Sequence, residues 1–168
     1  MATLKTANGK GKYYDLQSKV DVIRYILNPY KTPHHYCGFA RVKPNEPVGS
    51  MINITTKFGK SSGVQLRHFI ISFSPDEIKD YRIANEIGSL VIEYFGKEYQ
   101  AVYAVHEKQE NPHIHIVMNS VSYIDGHRYY GTRREFNGFR SFLKSILRKY
   151  GIFTLIYVPN VERQTSNM

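Results

Sequence analysis

The feature that most constrains the fold is a pair of apolar runs joined by a short polar segment. Residues 99–106 read Tyr-Gln-Ala-Val-Tyr-Ala-Val-His, and residues 113–118 read His-Ile-His-Ile-Val-Met. Both runs are rich in β-branched and aromatic residues, which favour strands. Between them, Lys-Gln-Glu-Asn-Pro is a polar turn whose proline ends strand pairing. The sequence therefore predicts a β-hairpin with strands at 99–108 and 113–122.

Three histidines of this hairpin are expected on one face of the sheet. Side chains alternate along a strand, so His113 and His115 point to the same side. If the turn is symmetric about Glu110 and Asn111, His106 lies directly opposite His115, with Cβ atoms about 4.5–5.5 Å apart. A register shifted by one residue would send His106 to the other face. Three converging imidazoles would form a metal site with nitrogen ligands and open positions for water or substrate oxygens.

The charge balance favours a polyanionic partner. The chain has 168 residues, of which 23 are basic and 14 acidic, giving a net charge of +9. Such a balance is typical of proteins that bind phosphate backbones. The 14 tyrosines and nine phenylalanines add to this indication, because unpaired bases stack on aromatic rings. Nucleic acid is therefore the expected partner.

Cysteine content and hydropathy predict a cytoplasmic protein. Cys37 is the single cysteine, so no disulfide can form within the chain and a reducing compartment is expected. No apolar run approaches the roughly 20 residues that a transmembrane helix needs. The first residues also lack the apolar segment of a secretory signal. We therefore expect no membrane insertion.

The remaining pattern predicts one domain over residues 1–158, followed by a polar tail, 159–168, that begins a linker. Capping boxes are expected to open helices at Ser18, Ser74 and Thr132. Residues 64–73 form an almost continuous apolar run, which is typical of a central strand. Because helices alternate with adjacent strands, the predicted fold is an α+β two-layer sandwich. Its central, mostly antiparallel sheet would have about five strands, with the histidine hairpin near the middle.

Residues 28–63 are expected to form a long irregular stretch, within which residues 51–56 could be a short strand or helix. Proline and glycine recur through it, and both interrupt regular structure. Long loops within compact domains are usually functional or disordered. This one carries several basic residues, so we interpret it as a flap that faces DNA. They are Lys31, Arg41, Lys43, Lys57 and Lys60.

A metal beside a basic, aromatic surface suits phosphodiester chemistry. The ion can polarise a non-bridging oxygen and offset charge in the transition state. Acidic residues are sparse, which disfavours a hydrolytic site with two metals and a water nucleophile. A tyrosine is the alternative nucleophile, although with an ordinary pKa near 10 only about one in a thousand is ionised at pH 7. A metal-bound phosphate or a nearby base would have to assist it.

Three motifs occur in a fixed order along the chain. They are Tyr-Ile-Leu-Asn-Pro-Tyr-Lys-Thr at 25–32, Arg-His-Phe-Ile-Ile-Ser-Phe at 67–73, and the histidine motif that ends in Asn119, at 106–119. Together they resemble the relaxase (mobilisation nuclease) family of HUH single-strand endonucleases. The resemblance spans about residues 16–152. It is strongest to relaxases of Gram-positive plasmids and conjugative transposons.

This resemblance implies a site and a reaction. Tyr25 would attack a scissile phosphate at the nic site of an origin of transfer, leaving a 5′-phosphotyrosyl link and a free 3′-OH. His106, His113 and His115 would hold one divalent ion, Mg²⁺ or Mn²⁺, although imidazoles also accept Zn²⁺ or Ni²⁺. Ser72 would contact DNA near the nick.

Further residues and partners follow from the same resemblance. Asn119, Lys31, Arg67 and His68 would contact DNA or support the metal ligands from behind. The partners would be single-stranded or hairpin DNA of an origin of transfer, relaxosome accessory proteins and a coupling protein. The domain is expected to be monomeric, in a bacterial cytoplasm, and able to enter a recipient cell with the DNA.

Several alternatives stay open at the level of sequence. Tyr25 could be a core aromatic, and Tyr30 is a rival nucleophile. His68 could be a general base or a structural residue, and the role of Glu107 is open because its parity turns it from the metal face. A rolling-circle replication initiator and a non-catalytic basic DNA-binding module are the rival functions. Initiators usually place the tyrosine after the histidines, whereas Tyr25 precedes them.

Overall fold

The computed structural model describes residues 1–9, 11–107 and 111–159. The centre of the hairpin turn and most of the predicted polar tail, residues 160–168, lie outside the described residues. None of the helices formed within the described ranges is long and apolar enough to cross a membrane.

The described residues form six strands and four helices. The strands are β1 (Ala2–Thr6), β2 (Cys37–Ala40), β3 (Leu66–Ser72), β4 (Ala101–His106), β5 (His113–Asn119) and β6 (Leu155–Val158). The helices are α1 (Gln17–Ile26), α2 (Pro47–Lys57), α3 (Tyr81–Phe95) and α4 (Arg133–Lys149).

All of the described strands belong to one sheet, in the order β2-β4-β5-β3-β1-β6. Neighbours are antiparallel, except that β1 and β6 run parallel. The predicted α+β class with a central, mostly antiparallel sheet is confirmed, with six strands where about five were expected. The β4–β5 hairpin lies inside the sheet, flanked by β2 and β3.

Alternation along the strands divides the interior into two clusters. The larger cluster joins the sheet to α3 and α4, which form the predicted helical layer, and it contains Phe69, Ile114 and Ile116. The shorter helices α1 and α2 cover part of the other face, where Val102 and Val117 pack against them. The histidines have the parity of this second face, so the candidate site lies beside α1.

The predicted register of the hairpin is wrong by two residues. His106 pairs with His113, and Ala104 pairs with His115. Strand β4 ends earlier than expected because other elements use the backbone of Glu107. Its N–H donates to the carbonyl of Lys31 at 3.0 Å, and its carbonyl accepts from the hydroxyl of Tyr81 at 2.7 Å. A shift of two residues preserves parity, so the histidines still share a face.

Two of the three predicted helix starts are wrong. Helix α1 begins before Ser18, whose N–H and hydroxyl donate to the carboxylate of Asp15. The cap at Ser74 closes only a turn with Glu77, and α3 begins later, capped by Asp80. The capping box between Thr132 and Glu135 is confirmed. Ser18 thus lies within the first turn of α1, and Ser74 belongs to a separate turn before α3.

The expectation of an irregular stretch at 28–63 is wrong for β2 and for the first turn of α2, whereas the helix left open for residues 51–56 is confirmed. This part of the chain contains β2, an edge strand paired with β4, and the helix α2. Helix α2 begins at Pro47, since proline interrupts helices only in their interior. In the first turn of α2 its missing N–H has no partner to lose.

Candidate metal centre and nuclease site

The three predicted ligands converge at one end of the β4–β5 hairpin. His106 is the last residue of β4, and His113 and His115 begin β5. One ring nitrogen from each lies within 4.8 Å of the others. The ring centroids of His106 and His115 are 4.1 Å apart, and those of His113 and His115 are 5.1 Å apart. All three side chains are buried.

Hydrogen bonds to the outer nitrogens leave the inner ones for a metal. His106 Nε2 donates to the carbonyl of Ile26 at 3.0 Å, and His113 Nδ1 donates to the carbonyl of Asn111 at 2.8 Å. His115 Nδ1 lies 2.8 Å from Nε2 of His68. Within the described residues, His106 Nδ1 and His115 Nε2 are buried without a hydrogen-bond partner. Each of these rings is oriented by a hydrogen bond at its other nitrogen, so the unpartnered nitrogens fit a metal ion.

Burial keeps these imidazoles neutral, the state that binds metals. Burial lowers the pKa of His106 to about 4, with a smaller contribution from His113 and Lys31. It also lowers the pKa of His113 and, more strongly, that of His115 below the ordinary value. A neutral imidazole has a free lone pair for a divalent cation, so the centre needs no loss of protons at pH 7 before binding.

Tyr25 lies on the exposed side of α1, directly over the histidines. Its ring centroid is 5.6 Å from those of His106 and His115, in both cases edge to face. The side chain is 43% exposed, so the alternative that Tyr25 is a core aromatic is wrong. Lys31 holds its ammonium 5.1 Å from the centre of the Tyr25 ring. Tyr30, in the turn after α1, is 78% exposed.

A cavity of about 420 Å³ opens beside Tyr25. Tyr13, His68 and His115 line its inner wall, and Lys5 and Lys12 contribute positive charge. Asp21 also lines the cavity, but the two ammonium groups outnumber its one carboxylate and suit an anionic group such as a phosphate.

Two other predicted site residues lie near the triad. Ser72 is the cross-strand partner of His113, so both side chains lie on the same face. His68 is buried behind His115. Its Nδ1 lies 3.1 Å from the hydroxyl of Tyr13 rather than beside Tyr25.

The structure does not bring Arg67 or Asn119 to the site. Arg67 alternates to the opposite face, where its guanidinium lies 5.9 Å from the ring centre of Tyr129. Asn119, at the far end of β5, is buried and bonded to α2 and Gln100. It lies four positions beyond His115 along an extended strand, so it does not contact the metal ligands.

Glu107 directly follows β4, and its carboxylate points away from the metal face, as its parity suggested. Its carboxylate oxygens both lie 3.0 Å from Nδ1 of His34. The His34 ring in turn stacks on Tyr36, with centroids 5.6 Å apart. This pairing gives Glu107 a role in holding the segment that follows α1.

Sequence reasoning missed Tyr13 and the two carbonyl groups that orient the ligands. Backbone carbonyls carry no sequence signal, and Tyr13 lies in a turn without periodicity. The structure marks Tyr13 as unusual through its backbone, because its φ of +64° is a left-handed value that is uncommon for a residue with a side chain.

Comparison with known proteins assigns the chain to a family. Residues 25–152, which are 128 of the 168 residues, match the family described as "Relaxase: MobA/VirD2-like, nuclease domain". "Protein rlx" of Staphylococcus aureus is 32% identical over 87 residues, which are 52% of this chain and 26% of that protein. The "Group II intron-interrupted relaxase LtrB" of Lactococcus lactis subsp. cremoris is 37% identical over 71 residues, which are 42% of this chain and 13% of that protein.

The chain therefore spans only a small part of the length of these relatives. A solved structure, the MobM relaxase domain bound to 26-nucleotide pMV158 oriT DNA, aligns with a TM-score of 0.45 and 15% identity. That alignment covers 79% of this chain and 91% of the other. The family match extends over more than half of the chain and includes Tyr25 and all three histidines. The chain belongs to the MobA/VirD2-like relaxases and contains their nuclease domain.

Proposed function

We propose that this domain is a metal-dependent, site- and strand-specific DNA nickase and transesterase. It would cleave single-stranded DNA at the nic site of an origin of transfer during conjugative transfer. The observation that carries the proposal is the position of Tyr25, an exposed phenol whose ring lies against two of three converging histidines. Membership of the relaxase family supports the same reaction class.

The three histidines would hold one divalent ion, Mg²⁺ or Mn²⁺, through His106 Nδ1, His113 Nε2 and His115 Nε2. The unpartnered, buried nitrogens of His106 and His115 support this assignment. The bound ion would supply Lewis-acid polarisation of a phosphate oxygen.

Tyr25 would act as the nucleophile. Its hydroxyl oxygen forms a bond to phosphorus as the bond from phosphorus to the 3′-oxygen breaks. The phenol loses its proton, and the departing 3′-oxygen gains one. The ammonium of Lys31, 5.1 Å from the ring centre, favours both the phenolate and the charge on the phosphate. One phosphodiester replaces another, so the same site can rejoin the strand after transfer.

The reaction tests the proposal directly. The protein is incubated with Mn²⁺ and single-stranded oligonucleotides tiled across the origin of transfer of the element that encodes it. A protein–DNA adduct that survives denaturant is expected for the wild type and for Tyr30→Phe, and it should be absent for Tyr25→Phe. DNA binding by Tyr25→Phe should persist, because only the hydroxyl is removed.

Peptide mapping of the adduct identifies the linked residue. An adduct in Tyr25→Phe, or DNA mapped to Tyr30, would reject Tyr25 as the nucleophile. A wild-type protein that binds the oligonucleotides with Mn²⁺ but never forms an adduct would favour the non-catalytic DNA-binding module.

In conjugation we expect the domain to work with relaxosome accessory proteins and a coupling protein.

A further inference from the structure

A line of hydrogen bonds runs outward from the candidate metal centre to the cavity. Nδ1 of His115 lies 2.8 Å from Nε2 of His68, and Nδ1 of His68 lies 3.1 Å from the hydroxyl oxygen of Tyr13. His68 is 4% exposed, so water has little access to either of its nitrogens. Both ring nitrogens of His68 are therefore committed to protein partners.

Hydrogen positions along this line allow two arrangements. The buried His68 ring lies between two neutral partners, and in its neutral form it carries one hydrogen. In the first arrangement His115 Nδ1–H donates to His68, and His68 Nδ1–H donates to Tyr13. In the second, all hydrogens are reversed, and Tyr13 donates to His68. Only the first leaves Nε2 of His115 without a hydrogen, because a neutral imidazole has one N–H.

Tyr13 is held where it can accept this hydrogen bond. Its carbonyl accepts from the N–H of Gln65 at 2.7 Å, and its backbone adopts the left-handed φ of +64°. The backbone N–H of His68 is also fixed, since it donates to Oδ1 of Asn8 at 2.8 Å. The segment after β1, the start of β3 and the turn before α1 thus hold one phenol against one imidazole.

We propose that Tyr13 is a positioning residue for the metal centre, acting through His68 to select the His115 tautomer that offers Nε2 as a ligand. The inference rests on the proposed function, since it takes His115 to be a metal ligand. Without the Tyr13 oxygen, His68 Nδ1–H would lose its acceptor in a buried site. The tautomer of His68 with hydrogen on Nε2 then becomes favoured. Its Nε2–H would point at the Nδ1–H of a metal-bound His115, and the two hydrogens would repel each other.

Metal affinity is the first test. Free Mn²⁺ is measured by electron paramagnetic resonance during titration of the full chain. Tyr13→Phe removes only the hydroxyl, and it should weaken Mn²⁺ binding about tenfold, the lower end of the effect of losing a partner behind a metal ligand. Tyr14→Phe is the matched control, because it makes the same change at an adjacent, exposed tyrosine. His113→Ala is the reference for loss of a ligand.

The outcomes distinguish a failure of the Tyr13 role from a failure of the metal centre. If His113→Ala weakens Mn²⁺ binding and Tyr13→Phe does not, the role of Tyr13 is rejected while the metal centre stands. If His113→Ala binds Mn²⁺ like the wild type, the proposed metal centre itself is rejected. Unfolding curves accompany each titration, so a loss of folding is distinguished from a loss of affinity.

A second measurement reads the His68 tautomer in the wild-type protein. The ¹⁵N shifts of the histidine rings report which nitrogen carries hydrogen, and Zn²⁺ is a diamagnetic ion that imidazoles accept. In the wild-type protein with Zn²⁺, His68 should carry hydrogen on Nδ1; the signals are assigned by their loss in His68→Gln. Hydrogen on Nε2 of His68 in the Zn²⁺-loaded protein would overturn the proposal.

Discussion

At the residue scale, the buried histidines should make the protein sensitive to acid. Burial lowers the pKa of His68 and His106 to about 4 and also lowers those of His113 and His115. Between the ordinary value of 6.5 and about 4 the unfolded chain binds more protons than the folded one. The free energy of unfolding should therefore fall as pH falls below 6.5, by up to about 1.4 kcal/mol per pH unit for each group. Urea unfolding of metal-free protein from pH 7.5 to 5 measures this slope.

A matched pair of variants assigns the slope to the site. His115→Gln removes one buried titrating group and should make the dependence on pH shallower. His35→Gln removes an exposed histidine and should leave it as in the wild type. Equal slopes for the two variants would contradict the role of burial.

Some of the candidate site could be predicted residue by residue, and some could not. Alternation in β-strands is robust to a register error of two residues, so the convergence of the three histidines was predictable. The exposure of Tyr25 depended on the docking of α1, which periodicity alone left open. The carbonyls of Ile26 and Asn111, which orient two of the ligands, come from the chain path rather than from residue types.

At the scale of elements, Asn119 should join α2 to the sheet rather than support the metal. Its amide donates to the carbonyl of Met51 at 3.2 Å and to the side chain of Gln100 at 3.0 Å. Asn119→Ala leaves these buried acceptors unsatisfied, so it should lower the free energy of unfolding by about 1–3 kcal/mol. Asn53→Ala, on the exposed side of α2, is the control.

Mn²⁺ titration separates the two possible roles of this residue. Folded Asn119→Ala protein should bind Mn²⁺ as the wild type does. A tenfold weaker affinity in a fully folded sample would restore the role behind the ligands that sequence reasoning assigned to it.

Element types were easier to predict than element boundaries. The hairpin, the central strand and the long helices follow from periodicity, and the capping box at Thr132 begins α4 as expected. The start of α3 could not be derived from the sequence, because Ser74 and Asp80 are both residue types that commonly cap the start of a helix. Packing of Tyr81 against the hairpin, through its bond to Glu107, selects the later start.

At the scale of the molecule, DNA binding should depend steeply on salt. The net charge is +9, and Lys5 and Lys12 line the cavity beside Tyr25. Each phosphate contact on a single strand contributes about −0.7 to the slope of log affinity against log salt. Replacing both lysines by methionine should make that slope shallower by about 1.4, measured by fluorescence anisotropy with an oligonucleotide. Lys149→Met, on α4 across the sheet, is the control.

The same titration can contradict this view of the cavity. A slope that is unchanged by the double substitution would show that the phosphates lie elsewhere. A slope that changes as much in Lys149→Met would mean that the charge acts as a whole, without a preferred face.

The parallel pairing of β1 with β6 bears on how the molecule is made. Ala2 lies beside Leu155, so the sheet gains its last strand only when nearly all of the described chain has left the ribosome. Contacts this distant along the chain are slow to form, because a large loop must close before they do. Until then β1 presents an open edge, to which a strand of another nascent chain can add. A growing chain that has already made every residue of the metal centre still lacks the strand that covers β1, and in the finished sheet β6 takes the place of β1 at the edge.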